Sequence, residues 1–191
     1  MQIGLIRHGL TDWNALGRIQ GQSDIPLNEE GRRQASLLAE RLAAGPIQWD
    51  HIISSHLQRA HETASIIAER LNIPLLEPDE RLKERGFGQI EGLTWEERET
   101  KWGTDWETLE LGQEKVDVLG TRAMEFMEAT RQQFPDNNIL VVSHGGLMSQ
   151  LFTLLMKEQH SRRIGNLSLT ILEWEAERWN TILYNNIDHL N

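Results

Sequence analysis

Short, continuous runs of apolar residues alternate along this chain with longer segments in which apolar residues recur every three or four positions. The clearest runs cover residues 3–6, 51–54 and 139–142. Runs of this length are typical of strands buried between two layers, whereas the longer segments have the periodicity of amphipathic helices. The pattern predicts an α/β fold, a three-layer sandwich in which helices cover both faces of a mostly parallel central sheet.

Local signals set the limits of the helices. Asn28 is a favourable N-cap for the helix after the first strand, and Gly45 and Pro46 end that helix. Asn72 ends the helix after the second strand. The faces expected to be buried carry Ala35, Leu38, Ala39 and Leu42 in the first helix, Ala60, Thr63, Ala64, Ile67 and Leu71 in the second, and Val116, Leu119, Ala123, Phe126, Met127 and Thr130 in a long helix at 114–134.

Two further regions complete the organisation of the chain. The runs 167–174 and 179–184 flank a short polar turn and predict a β-hairpin. The stretch 78–114 is irregular and rich in glycine and tryptophan, and Thr94 with Glu97 forms a capping box for a short helix within it. Because no repeat or linker interrupts the sequence, we expect a single domain over 1–191 with a lid-like excursion at about 78–114.

The composition narrows the class of protein. The net charge of −10 argues against a general nucleic-acid binder and against binding to an anionic membrane surface. The chain has no cysteine, which excludes disulfides, thiolate metal sites and cysteine nucleophiles. No apolar run has the length of a membrane-spanning helix, and the first strand begins almost at Met1, without room for a signal peptide. We therefore expect a cytoplasmic protein.

Cationic and titratable side chains follow three of the predicted strands. Arg7 and His8 come directly after the first strand, Arg59 lies at the start of the helix after the second, and His144 follows the third. Since the carboxyl ends of parallel strands meet at one edge of a sheet, these four side chains are expected to converge. Two arginines and two histidines suit a dianionic phosphoryl group and do not suit a divalent metal, so no metal site is predicted.

Four blocks of sequence give this site a family resemblance. The first block starts at Arg7-His8-Gly9, runs through Thr11, Trp13-Asn14, Gly17-Arg18, Gln20-Gly21 and Asp24 to Leu27, and is completed by Gly31 and Gln34-Ala35. The second block runs from Ser54 to Ala60 and ends in Thr63-Ala64. The third block runs from Leu82-Lys83-Glu84 through Phe87-Gly88 to Glu91-Gly92, and the fourth is Val142 to Gly146. In this order the blocks cover most of the chain. The chain resembles the histidine phosphatase superfamily, which also contains the cofactor-dependent phosphoglycerate mutases.

The resemblance implies roles for the residues in the blocks. His8 would attack phosphorus and form a phosphohistidine, while Arg7, Arg59 and His144 would bind the phosphoryl oxygens. Glu84 would protonate the leaving oxygen and then deprotonate the attacking water. Asn14, Gln20, Gly21 and Gly145 would contact phosphate or substrate, and neither a metal nor a cofactor is implied. The expected partner is a small phosphorylated metabolite, neither nucleic acid nor membrane, and a homodimer through exposed parts of the hairpin stays open.

The sequence is consistent with three functions. A metal-independent phosphatase of small phosphomonoesters is favoured, because the stretch 85–92 has the form found in phosphatases. A cofactor-dependent phosphoglycerate mutase would need extra basic residues, and the region offers only Arg85, Arg98 and Lys101. A non-catalytic sensor of phosphorylated ligands would not need both His8 and Glu84.

The chain also departs from the usual family pattern at two places. His56 stands where relatives often have aspartate, and Lys115 stands where they often have serine. Lys115 could add a cation that faces the substrate. Trp95, Trp102 and Trp106 are expected to pack in the lid, and one or two of them to line the mouth of the site.

Overall fold

A five-stranded mixed sheet forms the middle layer of the molecule. The computed structural model describes residues 1–156 and 163–190. Its strands are β1 (Gln2–Arg7), β2 (His51–Ser54), β3 (Ile139–Ser143), β4 (Leu169–Glu175) and β5 (Arg178–Asn186). They lie in the order β2-β3-β1-β4-β5; the first three are parallel, and β4 and β5 are antiparallel to their neighbours.

Helices cover both faces of this sheet. They are α1 (Asp12–Ala15), α2 (Glu29–Ala44), α3 (Gln58–Leu71), α4 (Trp95–Trp102), α5 (Val116–Gln133) and α6 (Gly145–Met156). Leu5 and Val141 face α5 and α6, whereas Ile6 and Val142 face α2 and α3. Because successive strand residues point to opposite faces, one apolar run supplies two cores. The three-layer architecture predicted from the sequence is confirmed.

The predicted limits of the elements are also found. The Asn28 side chain accepts a hydrogen bond from the Gly31 backbone at the start of α2, and Asn72 ends α3 in the left-handed conformation with φ of 53°. The hairpin turns at Ala176 and Glu177, both with positive φ. The expectation for Val116 is wrong: as the first residue of α5 it lies before the packed turns and is 45% exposed.

The stretch 78–114 has little regular structure apart from α4 and short 3₁₀ turns. These turns are Glu80–Leu82, Gly88–Ile90 and Trp106–Thr108. The stretch has a small core of its own, built from Ile90, Trp106 and Leu111. The capping box of Thr94 and Glu97 is present at the start of α4. Whether the stretch acts as a lid stays a prediction.

The topology fixes where chemistry can take place. Strands β1, β2 and β3 are parallel, and Arg7 pairs with Ser143 at their carboxyl ends. The backbone N–H of His8 then donates to the Ser143 carbonyl oxygen at 2.9 Å, which continues the sheet by one residue. The loops that leave these strands are therefore collected at one edge. In the described ranges 1–156 and 163–190, no helix is both long and apolar enough to cross a membrane.

Candidate active site

A polar cleft of about 270 Å³ lies at this edge of the sheet. Its walls bring together seven residues expected from the sequence, namely Arg7, His8, Asn14, Gln20, Gly21, Arg59 and Glu84. An adjoining cleft of about 300 Å³ shares Arg7 and Glu84 and adds Gly145. His144 is fully buried beside His8, with 5.1 Å between the ring centroids. All nine predicted residues thus lie in one region.

Hydrogen bonds fix the orientation of His8. Its Nδ1 lies 2.7 Å from the carbonyl oxygen of Gly9. Since that oxygen can only accept, Nδ1 carries the proton and the lone pair is on Nε2. The Gly9 N–H donates to the Thr63 hydroxyl at 3.1 Å, and the Asn166 side-chain amide donates to the carbonyl oxygens of His8 and Gly9. The ring of His8 is therefore held in one orientation, with its Nε2 lone pair not used by the Gly9 contact.

Both histidines are held in the neutral form. Burial lowers the pKa of His8 well below its usual value, and the charges of Arg7 and Arg59 lower it further, against a smaller opposing effect of the Gly9 hydrogen bond. Burial likewise lowers the pKa of His144, with Arg59 and His8 adding to the effect. A neutral imidazole keeps a free lone pair at physiological pH, as nucleophilic attack requires.

Two buried guanidinium groups supply the positive charge. Arg7 donates from Nη1 to the Ile164 carbonyl oxygen at 2.7 Å, and Arg59 donates from Nη1 and Nη2 to the carbonyl oxygens of Ser23 and Gly21 at 2.7 and 2.6 Å. Burial lowers the pKa of each to about 10, so both stay charged at neutral pH. In the described parts of the chain, neither buried Nε atom has a hydrogen-bond partner. Each guanidinium thus has a donor left for an anion.

The carboxylate of Glu84 is anchored by backbone N–H groups. It accepts from Arg85 at 2.8 Å and from Gly146 and Leu147 at 3.0 Å each. Gly146 and Leu147 belong to the first turn of α6, where N–H groups have no partner inside the helix and attract negative charge. A Cβ added to Gly146 would lie 2.5 Å from the carboxylate, so glycine there permits the close approach.

Residues of the loop after β1 form the opposite wall. The Thr11 hydroxyl donates to the side-chain oxygens of Asn14 and Gln20 at 3.2 and 3.0 Å. Gly21 has φ of +52°, and a Cβ added there would lie 2.1 Å from the carboxylate of Glu91. That carboxylate accepts from the backbone of Gln22, Ser23 and Phe87. Glu91 thus ties this loop to the segment that carries Glu84.

Sequence reasoning missed Arg163 and Asn166. The exposed Arg163 lines both clefts, and its charge is one cause of the lowered pKa of Arg7. Asn166 holds the backbone at His8. Both precede β4, which is antiparallel to β1, so their positions depend on strand pairing across more than 150 residues. No local sequence signal marks them.

A larger cleft of about 810 Å³ lies next to the polar one and shares Ile19 and Phe87 with it. Trp95, Trp106 and Lys115 line this larger cleft. His56 lies outside these clefts, with its Nε2 3.4 Å from a carboxylate oxygen of Glu80. Across the described ranges, no group of three or more histidine or acidic side chains is arranged to hold a metal ion.

Comparisons with known proteins agree on a family. The sequence model of the histidine phosphatase superfamily (branch 1) matches residues 3–187. An uncharacterized phosphatase, PhoE of Bacillus subtilis (strain 168), is 36% identical over 98% of this chain and 95% of its own. A metal-independent phosphoserine phosphatase of Arabidopsis thaliana is 32% identical over 100% of this chain and 83% of its own.

Solved structures agree with the sequence comparisons. YhfR of Bacillus stearothermophilus superposes with a TM-score of 0.88 at 27% identity, over 100% of this chain and 99% of its own. Relatives named as probable phosphoglycerate mutases also match the chain. The similarity therefore extends across the whole fold, and the relatives carry both phosphatase and mutase names.

Proposed function

Since the chain is a phosphoric monoester hydrolase that belongs to the histidine phosphatase superfamily, we propose that its substrates are small phosphomonoesters. We propose further that it hydrolyses them without a metal ion, through a phosphohistidine on His8. The observation that carries this proposal is the hydrogen bond from His8 Nδ1 to the Gly9 carbonyl, in a cleft with two buried arginines. It leaves the Nε2 lone pair available for attack on phosphorus.

The reaction has two displacements. In the first, Nε2 of His8 forms a bond to phosphorus as the ester P–O bond breaks, and the leaving oxygen takes a proton from Glu84. In the second, Glu84 takes a proton from water, whose oxygen attacks phosphorus as the P–N bond breaks. The products are an alcohol and inorganic phosphate, and His8 and Glu84 return to their initial states.

Charge in the transition states is stabilised by fixed groups of this chain. The phosphoryl oxygens are positioned by Arg7 and Arg59, which are already buried and already bonded to backbone carbonyls. His144 is neutral, and neither ring nitrogen has a partner among the described residues, so one N–H is free to donate to a phosphoryl oxygen. Preorganised donors of this kind need little rearrangement during the reaction.

The positions of the extra cations support hydrolysis over the mutase reaction. Arg98 packs its guanidinium 4.4 Å from the ring centroid of Trp106 and donates to the Thr94 carbonyl, while Lys101 lies over Trp102. Neither is among the residues that line the cleft of His8. The cleft does hold two further arginines: Arg18, which is paired with the Glu97 carboxylate at 2.6 Å, and the exposed Arg163. A bisphosphate cofactor would need more cations for its second phosphate than this arrangement supplies.

The proposal is tested by phosphate release from p-nitrophenyl phosphate and a panel of phosphorylated metabolites in excess EDTA. We expect turnover that resists EDTA and disappears in His8→Ala, while phosphate still binds. A matched control is His56→Ala, which removes an exposed histidine outside the clefts.

The intermediate needs a separate measurement. Rapid quenching should trap phosphate on the chain that is labile in acid and stable in base, as expected for a phosphohistidine. Turnover without phosphate on His8 would exclude the proposed route. Isomerisation of phosphoglycerate without phosphate release would favour a mutase, and binding without turnover of any compound would favour a sensor.

A further inference from the structure

The segment that carries Glu84 has no regular backbone pairing to hold it. It leaves the 3₁₀ turn Glu80–Leu82 and reaches the next turn at Gly88 without entering the sheet or a helix. Its carbonyl groups are satisfied by side chains instead, since the Ser143 hydroxyl donates to the Leu82 carbonyl at 2.8 Å. The position of Glu84 therefore depends on side chains from elsewhere in the fold.

Arg122, on α5, makes most of these contacts. Its Nη1 donates to the carbonyl oxygens of Arg81 and Lys83 at 2.7 and 2.6 Å, and its Nη2 donates to that of Glu84 at 3.0 Å. Its Nε and Nη2 also donate to the Glu114 carboxylate at 2.9 Å each. One guanidinium thus binds three carbonyl groups of the segment and a carboxylate.

Glu114 extends the same contacts to the other end of the segment. Its carboxylate accepts from the Gly86 backbone at 3.1 Å, its own N–H donates to the Gly86 carbonyl at 2.7 Å, and its carbonyl accepts from Arg85 Nε at 2.8 Å. Glu114 and Arg122 therefore bracket Glu84 from both sides.

The pair is buried enough for these bonds to matter. The Arg122 and Glu114 side chains are 16% and 17% exposed. Burial raises the pKa of the Glu114 carboxyl, but the hydrogen bonds from Arg122 and Gly86 and the charge of Arg122 outweigh it, so the group stays ionised. A partly buried ion pair that also satisfies carbonyl groups is strongly destabilised when one partner is removed.

We propose that Arg122 and Glu114 are positioning residues for the proton-transfer step, because they hold segment 81–86 so that the Glu84 carboxylate faces the cleft of His8. Neither residue lines that cleft. Their direct contacts are with the segment that carries Glu84, although the pKa of His144, lowered mainly by burial, is also lowered slightly by the charge of Arg122, and Glu114 lines the larger neighbouring cleft. The inference rests on the proposed function, in which Glu84 protonates the leaving oxygen.

Leaving-group dependence distinguishes positioning from a general loss of structure. Nitrophenolate leaves with little help from an acid, whereas the alkoxide of β-glycerophosphate needs a proton. The ratio kcat/KM reports the steps up to departure of the leaving group. A displaced Glu84 therefore lowers kcat/KM for the alkyl ester and leaves it unchanged for the aryl ester.

Arg122→Met should lower kcat/KM for β-glycerophosphate about 10²-fold, as a displacement of about 1 Å can do, and leave kcat/KM for p-nitrophenyl phosphate within about threefold of the parent value.

Two further variants complete the design. Arg122→Met added to Glu84→Gln should change neither substrate further, because the acid is already absent. Glu114→Gln, which keeps the size of the side chain, should show the same leaving-group bias to a smaller extent, and it covers the case in which Arg122→Met does not fold. The control is Arg131→Met on the same helix, which removes an exposed ion pair with Glu128.

The outcomes separate the inference from the function on which it rests. Equal losses on both esters in Arg122→Met and Glu114→Gln, with a clear bias in Glu84→Gln, would overturn the positioning role alone. Absence of bias in Glu84→Gln itself would remove Glu84 as the acid, and the inference with it.

Discussion

The imidazole rings of His8 and His144 lie 5.1 Å apart, centroid to centroid, and are tilted by 54°. Both are buried, at 2% and 0% exposure, against two guanidinium groups that are also buried. Protonation of either histidine would add a third positive charge beside these two guanidinium groups, where burial and the charges of both groups already lower the pKa of each ring. The site therefore keeps both histidines neutral, and it offers an unusually favourable place for an added dianion.

Acid should destabilise the folded chain through this pair. Both histidines have folded-state pKa values well below the unfolded value of about 6.5. Below that pH the unfolded chain binds protons that the folded chain does not. The contribution of this pair to the free energy of unfolding is therefore fully present above about pH 6.5, and it is lost as the pH drops toward the folded-state pKa values. Each histidine contributes a slope of up to about 1.4 kcal/mol per pH unit.

Urea unfolding at pH 7 and below, without phosphate, measures this effect. His144→Gln should flatten the loss of stability toward acid by about one histidine's contribution. The exposed His56→Gln serves as the control and should keep the slope of the parent chain. An unchanged slope in His144→Gln would mean that its ring is not held neutral.

Arg59 supplies charge to the site and also holds two backbone carbonyl groups, so we expect its replacement to cause a large loss of activity. It is completely buried, and it binds the carbonyl oxygens of Gly21 and Ser23 while Nε remains without a partner in the ranges described. Arg59→Lys keeps the charge but loses the forked geometry. We expect kcat/KM to fall by about 10²-fold or more, as for removal of a preorganised donor.

Steady-state kinetics of Arg59→Lys with p-nitrophenyl phosphate provide the test. Arg70→Lys, in the last turn of α3 and exposed, is the control for a change on the same helix. Activity of Arg59→Lys within threefold of the parent would show that charge alone is sufficient at this position.

Most of the fold could be predicted from the sequence because the relevant signals are local. The run 139–142 is apolar and β-branched, and Asn28 and Asn72 mark the ends of their helices through their own backbone chemistry. Arg7, His8 and His144 were found because they lie at or directly after the carboxyl ends of strands. Arg122 was not, because the sequence of its helix shows only the periodicity of a buried face, and its partners at 81–84 lie about 40 residues away along the chain. Arg163 was missed for the same reason, since its neighbour Arg7 is joined to it only by the folded sheet.

Arg163 should bind a second anionic group on the substrate. Its exposed guanidinium lines both polar clefts, next to Arg7 and Glu84. Phosphoserine and phosphoethanolamine differ only in a carboxylate, so the pair isolates this contact. Arg163→Gln should raise KM for phosphoserine about tenfold, the loss of one exposed charge-assisted hydrogen bond, and leave phosphoethanolamine nearly unchanged. Equal changes for the two compounds would place the carboxylate elsewhere.

Glu84 should affect stability and activity separately. Its carboxylate accepts from Gly146 and Leu147 at the start of α6, so it acts as a cap for that helix when no substrate is bound. Glu84→Ala removes both the acceptor and the proton donor, and should destabilise the chain by about 1 kcal/mol, as for loss of an N-cap. Glu84→Gln keeps an acceptor oxygen and should lose less stability.

Both variants should lose most of their kcat/KM on β-glycerophosphate and keep kcat/KM on p-nitrophenyl phosphate, whereas kcat should fall on both esters because hydrolysis of the phosphohistidine needs Glu84 as the base. Urea unfolding of the two variants beside the parent, at one pH and without phosphate, measures the cap; kcat/KM on the two esters measures the acid. If Glu84→Ala were as stable as the parent, the contacts with α6 would contribute nothing to the resting fold. If instead Glu84→Gln were active on both esters, the cap would be the only role of this carboxylate, and the leaving oxygen would have to obtain its proton from another group.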